Sequence, residues 1–320
     1  MPCSPNSPLP AQAATAPGWV RPDLASRGNF GERQESGRHD WGYYAHLSIY
    51  AFAAECVRGR RCLEIGCGTG YGAQYLEAEG GAASVVAIDK DESQMEELRT
   101  RFPTITFLAR DLDLGGLNVA EDSVDVVFSS NVFEHLAYPD PVLAAAASAL
   151  AEDGVAIIAV PPIMTVGMLA ENAKNVFHIN NLPTWGWTAK LSRYFQSVRT
   201  YRHWVRADRI DDQGAILRDR PSLADFVFKE DDSCNPSTIT AVFVCHGPRR
   251  SPLPAAGEAE TCPPEWRALK VEADARQEMV TDLRRELAAA ATWARENTQA
   301  GTDPTFILEG VCRQLEFLSG

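Results

Sequence analysis

One stretch of eleven residues constrains this chain more than any other: Cys62-Leu63-Glu64-Ile65-Gly66-Cys67-Gly68-Thr69-Gly70-Tyr71-Gly72. An apolar run ends in an acid, turns through alternating glycines and opens a helical segment at 73–78. A second apolar run, Val85-Val86-Ala87-Ile88, then ends in Asp89, 19 residues after Gly70. Strand, glycine turn, helix, strand and acid together make the nucleotide-binding half of a Rossmann-like sheet. Glycines let the backbone come close to a ligand, and an acid at the second strand end can accept hydrogen bonds from both hydroxyls of a ribose.

The spacing also narrows the nucleotide. A dinucleotide fingerprint would need glycine at position 71, where Tyr71 stands. No lysine followed by serine or threonine comes after the turn, which excludes a phosphate-binding loop of the ATPase kind. The pattern present, E-x-G-x-G-x-G from Glu64 to Gly70, resembles motif I of the class I S-adenosylmethionine-dependent methyltransferases. The resemblance implies S-adenosyl-L-methionine as cofactor and a role for each matching position. Glu64 and the backbone of Gly66, Gly68 and Gly70 would line the methionine part. Asp89 would take the ribose hydroxyls, Asp111 with Leu112 would meet the adenine amino edge, and Asn131 would close the site.

The chain alternates strands and helices from this point. Strands are predicted at about 61–65, 84–88, 105–109, 124–129 and 155–160, with helices at 71–79, 93–102 and 139–151, the last closed by Gly154 as a helix C′ residue. A nearly all-apolar fourth strand is what a strand covered on both faces looks like. The alternation predicts an α/β fold with a doubly wound, mostly parallel sheet. A helix at 183–195 and strands at 196–203 and 238–246 follow. By the resemblance they complete a seven-stranded Rossmann-like sheet whose last strand is antiparallel. The charged stretch 205–237 between them reads as a long irregular loop.

The ends differ from this core. Residues 1–42 are read as a flexible N-terminal arm, rich in Pro, Ser, Ala and Gly before a helix whose apolar positions start at Tyr43. The methyltransferase-like domain is placed at 43–247 and a linker with five prolines and one glycine at 248–264. In the tail at 265–320, Trp266, Leu269, Ala273, Arg276, Val280, Leu283, Leu287, Ala290 and Ala294 follow a 3-4 spacing. That is a coiled-coil pattern, which either pairs with a second copy in a homodimer or lies as one amphipathic helix on the domain.

A net charge of −13 argues against a nucleic-acid partner, since phosphate binding needs a basic face. No run approaches the roughly 18 apolar residues of a membrane span, and no secretory leader is legible. The eight cysteines form no C-x-x-C pair, so reduced thiols in a cytoplasmic protein are expected.

The candidate chemistry sits after the fourth and fifth strands. Ser129-Ser130-Asn131-Val132-Phe133-Glu134-His135-Leu136 resembles the acid–histidine segment of the ubiquinone-type small-molecule methyltransferases. His135, with Glu134 beside it, could take a proton from an acceptor hydroxyl, or the pair could anchor its loop. His178, in Asn175-Val176-Phe177-His178-Ile179-Asn180-Asn181, is the second candidate base, and Trp185-Gly186-Trp187 suggests aromatic walls. No metal is expected: metal-using relatives with a similar cluster carry a further acid three residues before the E-H pair, where Asn131 stands here. The small-molecule acceptor implied is a hydroxyl, sugar-like by resemblance to bacterial enzymes that decorate polysaccharides or glycosylated natural products. An amine acceptor, and a non-catalytic scaffold acting through the coiled coil, stay open.

Overall fold

The computed structural model describes residues 40–173, 175, 177–210, 220–231 and 238–254. Helix α1 (Trp41–Val57) begins two residues earlier than its apolar periodicity suggests, because Asp40 caps it: the carboxylate accepts the Tyr43 N–H at 2.9 Å. Strand β1 (Arg61–Ile65) runs into the glycine turn, and α2 (Tyr71–Ala78) leaves it. Then come β2 (Ser84–Asp89), α3 (Glu92–Arg101), β3 (Thr106–Ala109), a one-turn α4 (Leu112–Gly115) and β4 (Val124–Ser130). The second half holds α5 (Pro139–Ala149), β5 (Leu150–Val160), α6 (Val166–Asn172), α7 (Thr184–Ser192), β6 (Phe195–Val205), β7 (Phe226–Glu230) and β8 (Thr240–Pro248).

The strands form one sheet in the order β3-β2-β1-β4-β5-β8-β6-β7. β1 to β5 run parallel to one another, and β8 is antiparallel to both β5 and β6. The predicted Rossmann-like topology is therefore present, with eight strands in place of seven. The extra strand, β7, pairs antiparallel with the edge of β6 and comes from the stretch read as irregular. Five residues flanked by charge carry too short an alternation to stand out locally. Its anchor is tertiary: the Phe228 ring stacks on Phe52 of α1 and on His203 of β6.

Alternate residues of β1 divide between two cores. Cys62 faces α1, α2 and α3 (Tyr43, Leu76, Leu98), whereas Leu63 and Ile65 face α5 and α7 (Leu143, Ala147, Leu191). This is the three-layer arrangement that a sheet buried on both faces requires. Because chain order reverses between β1 and β4, a crevice opens at their carboxyl ends, where open α/β sheets bind ligands.

Two local expectations are corrected. Gly154 does not close a helix: α5 ends at Ala149, and β5 already starts at Leu150. Gly154 is required for space, since a Cβ there would stand 2.8 Å from the Ala151 carbonyl oxygen. Cys56 is disulfide-bonded rather than reduced, while Cys62, Cys67 and Cys245 are free and buried. The start of the expected linker is held to the domain, with the Arg250 guanidinium donating to the carbonyl oxygens of Ala147, Ser148 and Leu150. The coiled-coil stripe and most of the arm lie outside the described residues.

Candidate active site

The glycine turn joins β1 to α2 with Gly66, Gly68 and Gly70 all in the left-handed region, at φ of 79°, 51° and 76°. The glycines serve different ends. A Cβ on Gly66 would fall 2.1 Å from Val132 Cγ2, so the turn and the loop after β4 are in direct contact. A Cβ on Gly68 would meet nothing within 4 Å. Gly72, read only as the end of the motif, has a further reason to lack a side chain: the Tyr50 ring would lie 2.1 Å from a Cβ there.

Glu64 sits on the α1 side of β1 and is fully buried. Its Oε1 accepts the Tyr50 hydroxyl at 2.7 Å. Burial pushes its pKa up from 4.5 to about 7; the Tyr50 hydrogen bond opposes that shift and the negative Asp89 adds to it. Its Oε2 is buried without a hydrogen-bond partner among the described residues. A carboxylate oxygen held this way suits a cationic or N–H donor group on a ligand, and the amino group of S-adenosylmethionine is one. Tyr50 both packs on Phe128, at 4.5 Å between ring centroids, and orients the motif's acid.

Asp89 closes the opposite side of the turn. Its Oδ2 accepts the Gly68 N–H at 2.9 Å and its Oδ1 the Lys90 N–H at 2.8 Å. These two bonds fix the carboxylate against the glycine turn. Asp111, exposed at the end of β3, caps α4 by accepting the Asp113 and Leu114 N–H groups at 3.1 and 3.3 Å. Leu112 packs partly into the core face that carries α5. Asn131 adopts a φ of 54° just past β4, donates its N–H to Ala159 at 2.9 Å and places Nδ2 3.3 Å from His46 Nδ1 on α1.

Glu134 and His135 occupy a 3₁₀ turn at Phe133–His135, and His178 lies in the loop after α6. The fold brings all three together. One ligand atom of each lies within 4.8 Å of the others, and the two imidazole centroids are 4.9 Å apart. Glu134 is 1% exposed, and both histidines are half-buried. His135 donates Nδ1–H to the Phe177 carbonyl at 2.8 Å. His178 donates Nδ1–H to Asn172 Oδ1 at 2.8 Å. Asn172 Nδ2 donates to Asn181 Oδ1 at 2.6 Å, and Asn181 Nδ2 returns to the His178 carbonyl at 2.6 Å. This closed ring explains the asparagines around His178. Asn172, on α6, was missed, and no periodicity marks a side chain whose role is fixed six residues further on.

The tryptophan pair splits. Trp185 is 44% exposed, as Phe177 is at 48%, whereas Trp187 is buried in the core against Phe133. Asp113 was also missed: its Oδ1 accepts the Ala137 and Tyr138 N–H groups, tying the loop after β3 to the loop after β4.

Residues 63–158, from within the motif's strand into β5, match the family model of a methyltransferase domain. This segment is a class I S-adenosylmethionine-dependent methyltransferase domain. The chain is 31% identical over 154 residues to a protein of Mycolicibacterium smegmatis named as a probable S-adenosylmethionine-dependent methyltransferase, covering 48% of this chain and 58% of that one. A protein of the same name type from Mycobacterium tuberculosis is 29% identical over 143 residues, 45% of this chain and 51% of that one. A trans-aconitate 2-methyltransferase of Rhizobium rhizogenes is 29% identical over 118 residues, 36% of this chain and 45% of that one. The chain thus spans about half the length of the curated relatives it matches. The cofactor of the methyltransferase domain is S-adenosyl-L-methionine. Among the described residues no helix is long and apolar enough to cross a membrane.

Proposed function

We propose that the chain methylates a hydroxyl of a small molecule, with a sugar ring as the favoured acceptor. The observation that carries this reading is the Nδ1 anchoring of both imidazoles. With Nδ1–H given to a carbonyl oxygen, each neutral ring keeps its lone pair on Nε2. The loop that bears Glu134 and His135 packs through Val132 on the donor's glycine turn, two residues before Glu134. A hydroxyl oxygen must lose its proton as it bonds to carbon, and an imidazole lone pair beside it serves that need.

When bound, the sulfonium supplies an electrophilic methyl group and leaves as a neutral thioether. The chain's own residues hold and orient. Glu64 would hold the amino group of the donor, Asp89 its ribose, and Asp111 with Leu112 its adenine. Val132 and Asn131 close the turn, which fixes the line of attack. His135 or His178 accepts the hydroxyl proton through Nε2, and the neighbouring Glu134 favours the imidazolium that results. Trp185 and Phe177, each nearly half exposed beside this cluster in sequence, offer flat apolar faces to a sugar ring.

The similarity to a trans-aconitate 2-methyltransferase supports a second reading, a small-acid acceptor, whose oxygen is already ionised and needs no base. Release of S-adenosylhomocysteine with sugars, amines and small acids as acceptors distinguishes them. For a hydroxyl acceptor, His135→Ala or His178→Ala should lower turnover by about 10²–10⁴-fold, with the affinity for S-adenosylhomocysteine unchanged. If both variants turn over normally, the reading fails in favour of an amine or acid acceptor. If no acceptor class gives release, the scaffold reading replaces it.

A further inference from the structure

A single proton transfer needs one imidazole, yet the loops after β4 and β5 gather two imidazoles and a carboxylate. One ligand atom from each of Glu134, His135 and His178 lies within 4.8 Å of the other two. Ligands of one ion stand roughly 3 Å apart, so side-chain ends alone must close the remaining gap. Both rings are already held as metal-binding histidines are held. A carbonyl oxygen behind Nδ1, from Phe177 for His135 and from Asn172 for His178, fixes the tautomer with Nε2 as the donor atom and raises its basicity. The Asn172–Asn181–His178 ring locks the second of these from outside the cluster. Glu134 is 1% exposed, and a carboxylate so far from water is stabilised by positive charge next to it.

We propose that Glu134, His135 and His178 bind one divalent transition-metal ion. Two imidazoles with one carboxylate favour manganese, iron, cobalt or zinc over magnesium or calcium, which prefer an all-oxygen set. The absence of an acid at position 131 does not remove the site. Asn131 is turned toward His46 on α1, so the site has three protein ligands and keeps positions open for water or an acceptor. The role of the ion rests on the hydroxyl-methylation reading. The acceptor oxygen fills an open position, its O–H bond breaks and the proton passes to water. The freed electron pair forms the bond to the methyl carbon as the carbon–sulfur bond breaks. In that arrangement the two histidines are ligands, and the ion rather than an imidazole makes the hydroxyl acidic.

The full-length chain, stripped with a chelator and titrated with Co²⁺, should take up one ion per chain with the visible absorption of a nitrogen-ligated cobalt. His135→Ala and His178→Ala should each abolish that absorption. Glu134→Gln should weaken binding, and Asn172→Ala, which touches no ion, should do so by about 10–100-fold. Unchanged S-adenosylhomocysteine affinity in each variant shows that the fold is intact, and Asn172→Ala carries the test if a ligand variant misfolds. Absence of stoichiometric uptake, or uptake that survives both histidine replacements, overturns the proposal. Hydroxyl methylation that runs equally well in the stripped chain overturns the site's role while leaving the function reading standing. Stoichiometric, histidine-dependent uptake without methylation of any hydroxyl supports the site and overturns the function reading instead.

Discussion

The proposed donor side and the proposed acceptor side of the crevice are built by opposite means. At the ends of β1 and β2 the backbone shapes the site: three left-handed glycines, one buried acid, and an aspartate that accepts the Gly68 N–H. At the ends of β4 and β5 side chains shape it, through a ring of asparagines, two histidines and a buried glutamate. Backbone built this way is rigid and depends on positions a few residues apart in sequence. The side-chain cluster joins residues more than forty apart, such as His135 and Phe177, and depends on how two loops meet. The same fold can therefore keep its donor fixed and vary its acceptor, because only the second construction changes without disturbing the first.

The largest expected effect would break this comparison at its firmest point. Gly66→Ala places a methyl 2.1 Å from Val132 Cγ2 at a φ of 79°. Left-handed strain of about 1–2 kcal/mol and overpacking of about 1–3 kcal/mol act together there. Gly68→Ala bears the strain alone, since nothing lies within 4 Å of its Cβ. Chemical denaturation should find the first variant less stable than the second by about 1–3 kcal/mol. Calorimetry should find that donor-product affinity falls more in the first. Equal costs at the two glycines would mean that Val132 gives way freely, and that the turn and the loop after β4 are not coupled.

The next effect sharpens the electrostatic side of the comparison. The folded-state pKa of Glu64 is raised to about 7 by burial. Folding therefore favours the protonated form. The group costs nothing below its ordinary value of 4.5, and its penalty grows as pH rises toward 7. The full penalty is bounded at about 3 kcal/mol. Unfolding followed from pH 4.5 to 8 should show the ligand-free chain losing stability over that window. Glu64→Gln, which keeps an acceptor for Tyr50, should flatten the loss, and saturating S-adenosylmethionine should do the same by setting its ammonium group against the carboxylate. An unchanged slope in the variant would remove Glu64 as its source.

Legibility in the sequence follows the same division. The strand positions to β5, the glycine turn, Glu64 and Asp89 were readable because each has a local cause: an apolar run, a required φ, or an acid at a strand end. β7 was not readable, because its anchor is a stack of Phe228 on Phe52 and His203 from distant elements. Gly154 was misread because a glycine after an alanine-rich helix looks like a cap whether its reason is φ or space. His135 and His178 could be named as candidates, but their convergence depends on Asn172 and on the Phe177 carbonyl, which no spacing announces. Trp187 looked like a wall of the site and is core, since a tryptophan's side is set by the helix face it occupies.

The smallest effect separates two duties of one residue on the donor side. Asp111 caps α4 through Oδ1, which accepts the Asp113 and Leu114 N–H groups, and its carboxylate is also expected to meet the adenine amino edge. Asparagine caps as well as aspartate does, whereas alanine costs about 0.5–2 kcal/mol. The cost should fall at the low end here, because α4 is a single exposed turn. Asp111→Asn should therefore unfold at the same denaturant concentration as the parent chain, and Asp111→Ala slightly earlier. Donor-product affinity reports the second duty. A charge-assisted contact to the adenine amino group is worth about 1.5–3 kcal/mol, so both variants should bind more weakly if it exists. Should Asp111→Asn bind as the parent does while Asp111→Ala is only less stable, the residue is a cap alone. The donor side would then owe its specificity at this end to the backbone and to Leu112, which extends the backbone-built character of that half to the adenine pocket.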